Sequence, residues 1–204
     1  MDIKISNKTE NEISFSADGI NPAFANELRR IMVSEIPTLA IAYVEFKKND
    51  SALVDEVLTN RLGQIPFTFK RGELNLQEEC PSCKGKGCSN CQVKVLLKVK
   101  GPGVVYSGEL KTGDKDIQPV SDKIAIVELF EGDELQFEAT AKLGMGRQHA
   151  KWQGAVVGYK YSGDKFTFNV ESVCGLSPED VVNSAVEILE NKLIALEKGL
   201  KKLK

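Results

Sequence analysis

The chain has 204 residues, 42% of them hydrophobic and 27% charged, which is enough apolar mass to bury a core and excludes a disordered polypeptide. Its 27 Lys+Arg against 29 Asp+Glu leave a net charge of -2, so a surface that grips phosphates through basic excess is not expected, nor is direct nucleic-acid binding. The start has no apolar run after a basic segment and no stretch of about 18 apolar residues occurs, which argues against secretion or membrane spanning and for a cytoplasmic protein.

In chain order, alternating Ile3 and Ile5, then Ile13 and Phe15, read as extended structure. "DGINPAFANELRRIMVSEIPT" follows with Asn21 as a cap and Pro22 at the first helical position, a helix-start signal. Phe24, Leu28, Ile31 and Met32 lie on one face of that helix, and Pro37 ends it. "LAIAYVEFKK" predicts a strand from about Leu39 to Lys47. A short helical pattern, "ALVDEVLTNRLG", and an apolar "QIPFTF" precede a cysteine-rich loop.

Beyond the loop, Val93, Val95, Leu97 and Val99 share one face of a strand that stops at Gly101-Pro102-Gly103. Further strands are predicted at "VVYSGEL", "IAIVELF" and "ELQFEATAKLG", with a turn at Glu131-Gly132-Asp133, and a hairpin around Ser162-Gly163-Asp164. Ser177, Pro178 and Asp180 open a helix that runs to the C-terminus. Along it Val182, Val186, Leu189, Leu193, Leu196, Leu200 and Leu203 form a heptad seam. A helix of about 25 residues spans roughly 38 Å, longer than a small domain's own sheet needs. Seven aliphatic side chains at about 1.5–3 kcal/mol each match an association cost of about 4–15 kcal/mol, which favours an intermolecular or interdomain seam. The basic tail "EKGLKKLK" suits the negative end of that helix.

Four of the five cysteines fall in "CPSCKGKGCSNC", as Cys80-x2-Cys83-x4-Cys88-x2-Cys91. In a reducing compartment such a cluster is a metal site before it is a disulfide framework. Four thiolates close a tetrahedral zinc site and leave no open position for water, which points to structure and not catalysis. The spacing also echoes plant-type ferredoxin ligation and the zinc repeats of DnaJ-type chaperones, so an iron–sulfur cluster, or a metal-free or oxidised loop, stays open beside zinc. Cys174 reads as a small core residue. The lone His149, beside the only Trp, reads as a packed, hydrogen-bonded core or interface group and not a catalyst. No phosphate loop, dinucleotide fingerprint or acid pair with split environments occurs, so no catalytic residue is assigned. Arg29 and Arg30 are candidates for partner carboxylates.

"NPAFANELRRIMVSEIPTLAIAYVEFKKNDSALVDEVLTNRLGQIPF", with the later "GMGRQHAKW", closely resembles the D subunits of archaeal RNA polymerases, counterparts of the bacterial alpha amino-terminal domain and of the third-largest subunit of eukaryotic polymerase II. The resemblance implies an α+β fold with a discontinuous dimerisation domain, roughly 1–45 and 154–204, and an inserted strand-rich domain, roughly 46–153. It implies a non-catalytic assembly subunit that pairs with subunit L through the first and last helices and docks the large catalytic subunits and the small subunits N and P. It also likens the cysteine loop to the zinc loop of the eukaryotic counterpart. Two departures stand out. Many members of the family carry a ferredoxin-like insertion before the final helix, whereas "FNVESVCGLSPEDVV" passes straight from strand to helix with Cys174 in that place, so no cluster is carried over. "HAKW" is typically followed by Ser-Pro, and here by Gln153-Gly154. The rival classes are a free-standing redox or iron–sulfur protein and a zinc-dependent chaperone-like binder.

Overall fold

The computed structural model describes residues 1–202. It is a mixed α+β structure whose chain divides into two compact units, Met1–Pro37 with the chain from Met145 onward, and Thr38–Gly144.

In the first unit, β1 (Asp2–Lys8), β2 (Glu12–Asp18), β9 (Ala155–Ser162) and β10 (Lys165–Ser172) form an antiparallel sheet in the order β1-β2-β10-β9. The β2–β10 pair joins distant parts of the chain, and its register sets Phe15 against Phe168, whose rings stack at 5.0 Å. β9 and β10 are joined at Gly163-Asp164, with Gly163 at φ 59°, a conformation that glycine adopts without steric cost. Ile13, Phe15, Ala17, Phe166, Phe168 and Val170 point to one face and are buried. Helices α1 (Pro22–Ser34) and α3 (Pro178–Lys201) cover it, α1 over β9 and α3 over β10 and β2. Ile3 and Ile5 pair with Ala17 and Phe15 on the edge strand, yet both stay exposed.

Both helices start as their sequences dictate. The Asn21 side chain accepts from the Phe24 N–H, and the Ser177 hydroxyl from the Asp180 N–H, with Pro at the first helical position in each; these contacts satisfy N–H groups that a helix end leaves orphaned. The "GMGRQHAKWQG" segment does the same at the C-terminus of α1. The Arg147 N–H donates to the Ser34 carbonyl at 2.9 Å and the Gly154 N–H to the Val33 carbonyl at 3.4 Å. Approach is so close that a Cβ on Gly154 would lie 2.7 Å from the Met32 carbonyl oxygen, and one on Gly146 2.6 Å from that of Val33. The Gln153-Gly154 departure therefore sits where backbone meets backbone.

The second unit holds β3 (Pro37–Asn49), α2 (Asp55–Gly63), β4 (Gln92–Lys100), β5 (Gly103–Tyr106), β6 (Lys111–Thr112), β7 (Ala125–Leu129) and β8 (Glu134–Met145). One sheet runs β3-β8-β4-β6, and β5 pairs with β7. Val93, Val95 and Leu97 are buried, with Val99 half-buried. The strand predicted across "VVYSGEL" ends at Tyr106 and gives way to a single 3-10 turn, Ser107–Glu109. "QIPFTF" forms only an isolated bridge, Phe67 to Pro119, though Ile65, Phe67 and Phe69 are all buried.

Gly154→Ala is expected to destabilise the protein by about 1–3 kcal/mol through overpacking against α1. Gly158→Ala, where no atom lies within 4 Å of the added Cβ, should change stability by no more than about 0.5 kcal/mol. Denaturant unfolding followed by fluorescence of the buried Trp152 measures both.

Candidate functional site

The cysteine loop lies between a 3-10 turn, Gln77–Glu79, and β4. Lys84 at φ 50°, Gly85 at 87° and Gly87 at 95° turn the chain back on itself, using the left-handed region that glycine tolerates best. The Lys84 N–H donates to the Cys80 carbonyl at 3.0 Å and the Gln92 N–H to the Cys88 carbonyl at 2.9 Å, so each C-x2-C pair closes its own turn.

These two turns bring the four sulfurs within 4.8 Å of one another. The Sγ–Sγ distances are 3.7 Å for Cys80–Cys88, 3.6 Å for Cys83–Cys91 and 3.9 Å for Cys88–Cys91. A tetrahedron with metal–sulfur bonds of about 2.3 Å has edges of about 3.8 Å, whereas a disulfide requires about 2.05 Å. The cysteines are thus spaced for a shared ion and not for pairing with each other. Backbone donors face the sulfurs as well, Gly87 N–H to Cys83 at 3.2 Å and Cys88 N–H to Cys91 at 3.3 Å.

Electrostatics points the same way. Burial opposes ionisation of Cys83, but the Gly87 N–H and the Cys91, Cys80 and Cys88 sulfurs outweigh it and lower its pKa to about 7. Burial, with the sulfurs of Cys83, Cys88 and Cys80, pushes Cys91 up to about 12 against the Cys88 N–H. At Cys88 a backbone hydrogen bond to Asn90 favours the thiolate, while burial and the Cys80 and Cys83 sulfurs raise its pKa. Four negative charges in so small a volume need a cation among them, and the donor set fits one ion held by Cys80, Cys83, Cys88 and Cys91.

The second feature is α3, 24 residues or about 36 Å long. Its inward face is Pro178, Val181, Ser184 and Ala185. The predicted seam lies about 100° around the axis from that face. Val186, Leu193, Leu196 and Leu200 are 51%, 60%, 60% and 56% exposed, Val182 and Leu189 are half-buried, and Leu203 lies outside the described residues. Ile194, which the heptad pattern omits, is exposed too.

The first helix corrects the expectation. Leu28, Ile31 and Met32 are buried in the unit's own core, because the face that carries them is the one α1 lays on the sheet and α3; of the four apolar residues assigned to a partner only Phe24 is exposed. Arg29 reaches the Asn26 side chain at 3.4 Å and Arg30 is exposed. Neither has a carboxylate partner among the described residues. His149 is exposed, not packed in a core: its Nδ1 accepts from the Lys151 N–H at 3.1 Å and caps the turn that holds Trp152. Cys174 is half-buried with its sulfur 3.7 Å from the Ser172 hydroxyl, and burial raises its pKa. The sequence pattern does not reveal Lys192, which bridges Glu27 on α1 and Glu35 at its C-terminal cap; no local signal links residues so far apart.

Residues 44–157 match the RNA polymerase Rpb3/RpoA insert domain, which is more than half of the chain. A relative from Methanosphaera stadtmanae, named DNA-directed RNA polymerase subunit Rpo3, is 40% identical over 202 residues, covering 95% of this chain and 74% of that one. The chain belongs to the archaeal Rpo3 family. Rpo3 of Pyrococcus horikoshii is 46% identical over 161 residues, 78% of this chain and 59% of its own. Rpo3 of Methanothermobacter thermautotrophicus is 44% identical over 165 residues, 79% and 62% respectively. Against relatives such as these two the chain spans about three fifths of their length. The resemblance to the archaeal D subunits is borne out at the level of the family.

In metal-free chain at pH 7, iodoacetamide should modify Cys83 well before Cys91, since the thiol near 7 is about half ionised there and the one near 12 is not. Peptide mass mapping over a time course reads the order. Raising the pH from 6 to 8 should speed modification of Cys83 about tenfold.

Proposed function

We propose that this Rpo3-family chain is a non-catalytic assembly subunit of an archaeal DNA-directed RNA polymerase. In this reading it pairs with the small subunit L through α3 and the exposed edge of α1, and the pair docks the large catalytic subunits and the small subunits N and P. Polymerisation chemistry then belongs to the large subunits. The observation that carries the proposal is the uncovered flank of α3: Val186, Leu193, Leu196 and Leu200 are each more than half exposed, on a helix whose adjacent face is already packed. An apolar stripe of this length in water is the mark of a surface that another chain covers. Phe24 adds to it from α1, and Arg29 and Arg30 offer planar cations to partner carboxylates.

The Cys80, Cys83, Cys88 and Cys91 centre is proposed to hold one zinc ion. Zinc would supply a closed, redox-inert crosslink, with no open position for substrate. Its role is to fix the loop ahead of β4 as a firm surface, not to carry out a reaction.

Replacing Leu193 and Leu196 together with Glu should weaken association with L at least a hundredfold, or about 3 kcal/mol, while the fold is kept because neither side chain is buried. Size-exclusion co-elution with purified L, alongside far-UV circular dichroism, tests this; undiminished co-elution contradicts it. Metal analysis of the full chain should return one zinc per molecule, lost on Cys91→Ala. Cobalt substitution should give the visible absorption of a tetrahedral thiolate site. Iron with acid-labile sulfide would instead favour the redox class.

A further inference from the structure

Helix α3 leaves its own unit part-way along. Val181, Ser184 and Ala185 are buried and Ile188 and Leu189 half-buried, but every residue from Glu190 to Lys202 is exposed. The outward half therefore has no buried packing of its own to hold its direction, and it carries three of the four most exposed seam residues, Leu193, Leu196 and Leu200.

Lys192 lies in that half. Its Nζ is 2.8 Å from Glu27 Oε1 and 2.7 Å from Glu35 Oε1. Glu27 and Glu35, the residue that caps α1, are eight residues apart, so their α-carbons stand about 12 Å apart along the helix; since one ammonium reaches both carboxylates, the two side chains converge on it over the turn between them, where Ile31 is buried. One contact would only hold the helices near each other; two, from opposite directions along α1, fix the point at which α3 crosses it. The other ion pair of the outward half, Lys201 with Glu197, lies within α3 and ties it to nothing else. Among the described residues, Lys192 makes the ion pairs that join this half to another element.

We propose that Lys192, clamped between Glu27 and Glu35, is a positioning residue for partner binding, setting the angle at which α3 presents its seam. The proposal rests on the reading of that seam as the partner surface. Leu200 is eight residues beyond Lys192, about 12 Å, so a change of crossing angle of about 20° displaces it by about 4 Å, enough to take a side chain out of a fitted pocket. Ion pairs as exposed as these add little to folding stability. Their effect is to hold one orientation before the partner arrives, which lowers the ordering cost of association.

The test uses the full chain with spin labels on unnatural residues at Ala23 of α1 and Lys198 of α3, and pulsed electron resonance to read the distance between them. One narrow distribution is expected for the parent chain, a broad one for Lys192→Met, and a narrow one again when Lys192→Glu is combined with Glu27→Lys and Glu35→Lys. Affinity for purified subunit L should fall about three- to tenfold in Lys192→Met, with little change in melting temperature, and recover in the charge-swapped chain. An unchanged distribution in Lys192→Met overturns the clamp. So does broadening that the charge swap fails to reverse, which would assign the effect to the lysine stem. Broadening with unchanged affinity overturns the link to partner binding. If the parent chain does not bind L, the seam reading itself has failed, and the distances alone decide whether Lys192 sets the crossing.

Discussion

Pairing of β2 with β10 is the constraint on which the rest of the first unit depends. Seven consecutive partners, from Lys165 with Asp18 to Glu171 with Glu12, bind the start of the chain to a strand beyond residue 160. The cost of closing so long a loop grows only slowly with its length, and burial of Phe15, Phe168, Phe166 and Val170 offsets it. Once the pair forms, α1 and α3 have one apolar face to share, and the intervening chain is free to build a second compact unit of its own. The "GMGRQHAKWQG" segment then returns to α1 and supplies N–H groups to carbonyls that the helix end leaves open.

That shared face explains why α1 and α3 end with different roles. α1 is short, and its Leu28, Ile31 and Met32 are taken up by the sheet and by α3. α3 is nearly twice as long, so only its first half can be covered from below, and its side stripe of valine and leucine stays in water. On the proposed reading, a subunit that assembles a larger enzyme needs such a surface, firm and uncovered, more than it needs a catalytic pocket. In the second unit the four-cysteine loop is a short glycine-rich segment with little apolar content, which cannot fold on a core of its own.

Local signals carried much of this into the sequence. Asn21-Pro22 and Ser177-Pro178 mark both helix starts because capping is settled within four residues, and the 162–165 turn is legible because only a few residue types accept its dihedral angles. The cysteine spacing reveals a cluster of four sulfurs that could hold an ion, since two tight turns are enough to bring the sulfurs together. What the sequence hides is which apolar residues a fold uses internally. Leu28, Ile31 and Met32 share the helical spacing of a docking face, and only the presence of sheet and α3 beneath them decides that they are core. Lys192 is invisible for the same reason: its partners are on another helix and at its cap, more than 150 residues earlier. The capping role of His149 is hidden too, as it depends on the turn that Lys151 makes.

Native mass spectrometry of the chain co-expressed with subunit L tests the central claim most directly, since it reads stoichiometry and bound metal in one spectrum. The account predicts a one-to-one heterodimer carrying a single zinc ion. A stable monomer or a homodimer that ignores L would contradict it.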